Sequence, residues 1–280
     1  MRSPRLGIRP SRRAPTRRVP LDPAATDQPL FDLLRRIWPR TPPIDPALWR
    51  QTRVALPWLA ALDDTRDARL RDLAAGFLHH KVITPVGGLV LDERQRCMLA
   101  ALCCLPLLEF GIAGLRGWSQ LIVYPDAFRV HRSHVDAAGV LHEGQDELIG
   151  EAWEAGPVIL SWADVMADCE EPRAGFCVAV HEIAHKLDAL DGLLDGTPPL
   201  PGPWQRGWAR DFQAAYDALV ADVDAGRETA IDGYAAEAPE EFFAVASEYH
   251  FSDPRTLCSA MPKVAAHLDK FYGPSPFTDA

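Results

Sequence analysis

The sequence lacks any run of about 18 consecutive apolar residues, so no segment reads as a membrane-spanning helix. Its Arg- and Pro-rich start lacks the apolar stretch of a secretory signal. The six cysteines, Cys97, Cys103, Cys104, Cys169, Cys177 and Cys258, contain no CxxC pair. That argues against a disulfide frame or a Cys-ligated zinc site and for reduced thiols in a cytoplasmic protein. Positive charge is scarce beyond the first twenty residues, which hold seven Arg and no acid; without them the formal net charge of −10 becomes −17. A body this acidic is a poor platform for duplex nucleic acid.

What is present, 280 residues of which 48% are hydrophobic and 24% charged, suffices for one large or two small globular domains. Residues 1–22 are too polar and Pro-broken to pack and are expected to form a disordered tail. An Arg-rich tail of that kind could touch nucleic acid, in which case deleting it would remove a salt-dependent binding. A helical region is expected over 23–115. Apolar residues recur with helical period at Leu33, Leu34 and Ile37, then at Leu70, Leu73, Ala74 and Phe77 in a helix over 65–79. A further helix is expected over 93–110, capped by Asp92 and kinked or ended by Pro106. His79 and His80 close the earlier helix, where they suit its C-terminal dipole.

From residue 116 the texture changes. Short strands are expected at 121–124, 128–130, 148–153 and 157–162. The last is a candidate for pairing with an extended substrate. His131, His134 and His142 fall between strands with no spacing that repeats on a face. An acidic loop over 168–172 is expected to open the next helix, with Pro172 in its first turn and Phe176, Val180, Ala184 and Leu187 on its buried side. The resulting fold class is α+β, mostly helical, with a small sheet ahead of this helix and a catalytic domain over 116–280.

That helix carries His181-Glu182-Ile183-Ala184-His185, an HExxH pattern. Two His four residues apart share one helix face, so both imidazoles can reach one Zn²⁺ at about 2.0–2.1 Å, with the intervening Glu beside the attacking water. A catalytic zinc needs a third protein ligand. Asp191 stands where the last ligand of HExxHxxGxxH/D enzymes stands, but Asp188 occupies the position of their helix-breaking Gly and the first Gly is Gly192. The helix should therefore run straight past Asp191. Asp188 itself is a candidate acceptor for an imidazole N–H. The other carboxylates lie in a helix starting at Pro239, where Glu241 and Glu248 share a face with buried side chains and Glu240 suits the rim.

The stretches HEIAHKLDALDG, IDGYAAEAPEEFFAVASEY, LIVYPDAF and GEAWEAGPVILSW together resemble the Mlc titration factor family of zinc metallopeptidases. The resemblance implies a zincin-like fold and one zinc per chain held by His181, His185 and Glu241, with Glu182 as catalytic base and Tyr234 contributing to activity. It also implies a peptide substrate, with aminopeptidase-like cleavage, and binding to a glucose-responsive transcriptional repressor. Glu240 stands where the family usually has a small neutral residue, which leaves Glu240 and Glu241 as alternatives for the ligand.

Overall fold

The computed structural model describes residues 41–126 and 156–277. The Arg-rich tail, the apolar run at Leu33–Ile37, the expected strands at 128–130 and 148–153, and His131, His134 and His142 lie outside the described residues. Within them the chain is mostly helical with one three-stranded sheet, an α+β arrangement.

The first helices are α1 (Pro46–Ala55), α2 (Pro57–Ala60) and α3 (Asp64–His80). Asp45 and Asp63 cap α1 and α3 by accepting backbone N–H bonds, and Pro begins both α1 and α2, where its missing N–H is not needed. Strand β1 (Val82–Pro85) leads to α4 (Glu93–Cys104), whose start is a reciprocal capping box: Asp92 accepts from Gln95 N at 2.7 Å while Gln95 Oε1 accepts from Asp92 N at 2.8 Å. The helix stops at Cys104, short of the 93–110 expectation. Leu105–Leu107 tightens into a 3₁₀ turn around Pro106, which has no N–H to continue the ladder.

Strands β2 (Gln120–Tyr124) and β3 (Val158–Ser161) complete a parallel sheet in the order β1-β2-β3, with Val82 opposite Gln120 and Leu121 opposite Val158. Leu121, Val123, Val158 and Leu160 are fully buried, as the two-residue alternation of a strand requires for one face against a core. The strand expected over 157–162 is cut at Ser161, whose hydroxyl accepts from Asp164 N at 3.1 Å and starts α5 (Trp162–Glu170).

This helix corrects the reading of the acidic stretch. Asp168–Glu170 end α5, and the motif helix α6 (Val178–Asp188) begins several residues later than Pro172. An acid still meets the positive end of α6, but it reaches across from α5: Asp168 accepts from Val178 N at 2.8 Å. Burial pushes the Asp168 carboxyl up to about 7, against the lowering effect of that N–H. Phe176 precedes α6 and is 46% exposed, so it is not part of the buried stripe, whereas Val180, Ala184 and Leu187 are. The α-helix gives way to a 3₁₀ turn at Ala189–Asp191 and ends at Gly192, whose φ of 87° is a left-handed cap that favours glycine.

After a loop come α7 (Gly202–Asp224), a 3₁₀ turn at Gly233–Ala236, α8 (Pro239–Ser252), α9 (Pro254–Ala260) and α10 (Pro262–Tyr272). From Phe242 to Ser252 every residue of α8 is buried. It packs against α6 and the 3₁₀ turn before it, and its Phe242 and Phe243 lie among Phe212, Trp208, Phe271 and Tyr272 of α7 and α10. Among the described residues no helix is long and apolar enough to cross a membrane.

Candidate metal centre

Helix α6 is packed by α8, α4 and β3. His181 is 4% exposed and His185 half-buried, and their rings meet edge to face with centroids 4.8 Å apart. The Nε2 atoms are 3.1 Å apart. Glu241, in the first turn of α8, brings Oε2 to 3.2 Å from His181 Nε2 and 3.5 Å from His185 Nε2. Burial pushes the Glu241 carboxyl up, but its contacts with the two imidazoles outweigh this and hold it well below the usual carboxylate range.

These separations test whether a metal fits. A tetrahedron with bonds of about 2.0–2.1 Å has edges of about 3.3–3.4 Å. The three observed edges, 3.1, 3.2 and 3.5 Å, bracket that value. His181, His185 and Glu241 are the group of His, Cys, Asp and Glu among the described residues whose donor atoms converge closely enough, within 4.8 Å, to hold a metal ion.

Glu248 makes the donor chemistry definite at His181. Its Oε1 lies 2.7 Å from His181 Nδ1, and its Oε2 accepts from Cys177 N at 2.7 Å. An ionised carboxylate can only accept here, so Nδ1 carries a proton and the ring presents Nε2 towards Glu241 and His185. The same carboxylate also occupies an otherwise open backbone donor at the start of α6. The sequence pattern had singled out Glu248 as a buried carboxylate two turns beyond Glu241, but not its partner, which depends on how α8 lies across α6. Asp188, the sequence candidate for an imidazole acceptor, points elsewhere: its Oδ2 accepts from Gly196 N at 2.8 Å. Replacing Glu248 by Ala is expected to weaken zinc binding by roughly 10–100-fold, the usual loss when a ligand's orienting carboxylate is removed. Competition with a chromogenic chelator measures it.

Glu182 is half-buried between the two histidines in sequence, and its charge counteracts the desolvation that lowers the Lys186 pKa one turn on. Tyr234 sits in the 3₁₀ turn before α8, where Asp232 accepts from its backbone N at 2.9 Å, and its ring centroid is 6.4 Å from that of His181. Glu240 lies outside the convergent group and instead acts on Tyr216, whose pKa is raised first by desolvation and then by this neighbouring charge. Asp191 is likewise outside it and accepts from Leu193 N at 3.3 Å in the turn after α6.

The model of the glucose-regulated metallo-peptidase M90 family matches residues 32–273. The chain is 38% identical to Mlc titration factor A of Serratia proteamaculans over 233 residues, covering 82% of this chain and 88% of that protein. It is 37% identical to Mlc titration factor A of Escherichia fergusonii over 246 residues, 85% of this chain and 92% of the relative. With the protein of the same name from Klebsiella pneumoniae the identity is 38% over 231 residues, 81% and 86% of the two chains. The chain with the convergent His181, His185 and Glu241 thus belongs to the glucose-regulated metallo-peptidase M90 family.

Proposed function

We propose that the protein is a zinc-dependent, zincin-like peptidase with aminopeptidase-like action, its single metal ion held by His181, His185 and Glu241. The observation that carries this reading is the match between the three donor separations and the edges of a tetrahedral zinc site, with the His181 ring oriented by Glu248 at Nδ1. Family membership and the HExxH helix support it. When bound, the ion acts as a Lewis acid that acidifies water and polarises the scissile carbonyl.

The protein's own groups supply the proton transfers. Glu182 takes a proton from the attacking water and delivers it to the leaving amine. Tyr234, beside His181, donates a hydrogen bond to the oxyanion that develops on the substrate carbonyl. Replacing Tyr234 by Phe should lower kcat by roughly 10²–10³-fold with little change in KM, because the bond forms only as charge develops. Steady-state kinetics on an unblocked peptide checks it.

The name shared by the relatives, Mlc titration factor A, favours a second reading in which the protein binds a glucose-responsive transcriptional repressor and hydrolysis is secondary. Metal removal separates the two. A chelator should abolish peptide hydrolysis and added zinc restore it, whereas binding as the sole function predicts unchanged repressor affinity and no metal-dependent cleavage.

A further inference from the structure

Asp188 ends α6 three residues after His185 and is fully buried. Burial pushes its carboxyl up to about 7, against the lowering effect of the backbone N–H groups of Gly196 and Thr197. A carboxyl in these surroundings lowers stability, so its presence calls for another benefit. Oδ2 accepts from Gly196 N at 2.8 Å. Gly196 in turn offers its carbonyl to Trp208 Nε1 of α7 at 3.4 Å, and with φ of 76° it turns its missing side chain towards α8. A Cβ on Gly196 would lie 2.3 Å from the carbonyl oxygen of Pro239 and 2.7 Å from its carbon. Pro239 is the first residue of α8, and Glu241 stands two residues on. One glycine therefore touches the end of the helix that carries both histidines, the long helix α7 and the start of the helix that carries Glu241.

We propose that Asp188 and Gly196 are positioning residues that set the spacing between α6 and the first turn of α8, and thereby hold Glu241 Oε2 beside His181 Nε2 and His185 Nε2, where the three would hold a metal ion. The inference rests on the metal-site reading above. Its magnitude follows from contact distances. Ordinary Cβ contacts begin near 3.4 Å, so a methyl group on Gly196, besides straining a positive φ, would require the loop and Pro239 to separate by about 1 Å. A preorganised ligand set has to be held to within about 0.5 Å of its productive geometry. The bond from Asp188 to Gly196 N–H keeps the loop pressed to α6, and the absence of a Cβ lets α8 come close enough for Glu241 to share a face with the imidazoles.

The test is zinc affinity of the full chain, measured by chelator competition on metal-free protein, with circular dichroism and thermal midpoints to confirm folding. Gly196→Ala and Asp188→Ala should each weaken zinc binding at least about tenfold. Asp188→Asn keeps a carbonyl acceptor for Gly196 N–H and should stay within about twofold of the parent. In a Glu241→Ala background, adding Gly196→Ala should change affinity by no more than about twofold, because the residue it misplaces is already gone. If Gly196→Ala fails to fold, the contrast between Asp188→Ala and Asp188→Asn still decides. Parent-like affinity in both Gly196→Ala and Asp188→Ala overturns the inference, as does a full additional loss in the Glu241→Ala background. Parent-like affinity of Glu241→Ala alone overturns the ligand assignment itself.

Discussion

On the proposed mechanism, replacing Glu182 by Gln is expected to lower peptide hydrolysis by roughly 10²–10⁴-fold, the usual contribution of a positioned general acid and base, while zinc content should stay at about one per chain. The amide keeps the size of the side chain and lacks the basicity to take a proton from water at neutral pH. The three convergent donor atoms, His181 Nε2, His185 Nε2 and Glu241 Oε2, are untouched. Loss of activity with metal retained therefore separates proton transfer from metal binding. Under the repressor-binding reading the same variant is indistinguishable from the parent in affinity for its partner. Parent-like hydrolysis by Glu182→Gln sinks the proposed mechanism.

The second large effect is at the ligand itself. Glu241→Ala should weaken zinc binding by more than roughly 100-fold, exceeding what removal of an orienting carboxylate does, whereas Glu240→Ala should leave it nearly unchanged. The two residues are adjacent, and a helix turns about 100° per residue, so only one of them can face α6. Glu241 is the one whose Oε2 lies 3.2 and 3.5 Å from the imidazole nitrogens, while Glu240 acts on Tyr216. Stoichiometry by atomic absorption after dialysis, with affinity by chelator competition, decides the matter. Retention of zinc in Glu241→Ala together with its loss in Glu240→Ala would reverse the assignment.

Much of the local structure was legible in the sequence because it depends on near neighbours. The four-residue spacing of His181 and His185 and the cap at Asp92 each involve side chains within a turn or two, and the structure has both, whereas the helix expected to run past Asp191 leaves α-helical geometry at Asp188 and reaches Gly192 through a 3₁₀ turn. The start of α6 was not legible. Acid residues and a proline suggest a helix N-terminus equally well for the residues that follow and for a separate helix that ends there, and α5 takes the second course. Phe176 was misjudged for the same reason, since a buried stripe can be drawn only once the first helical residue is known. Glu248 was visible as a carboxylate among buried side chains and Asp188 as a candidate acceptor for an imidazole N–H, but their partners, His181 with Cys177 N and Gly196 N, are 67, 71 and 8 residues away in sequence. No periodicity encodes such pairings; they follow from the crossing of α6 by α8 and from the path of one loop.

The grip of carboxylates on the first amides of α6 has a consequence for motion. Cys177 N and Val178 N, which a helix start leaves without internal partners, are held by Glu248 and Asp168 from two other helices. Ends of helices usually fray and exchange their amide hydrogens quickly. Here the opening turn is anchored at the place where His181 follows, so its amides should exchange with solvent deuterium at rates set by cooperative opening of the core. The imidazoles are thereby ordered by the protein itself, so binding of a metal ion there would entail little loss of chain entropy.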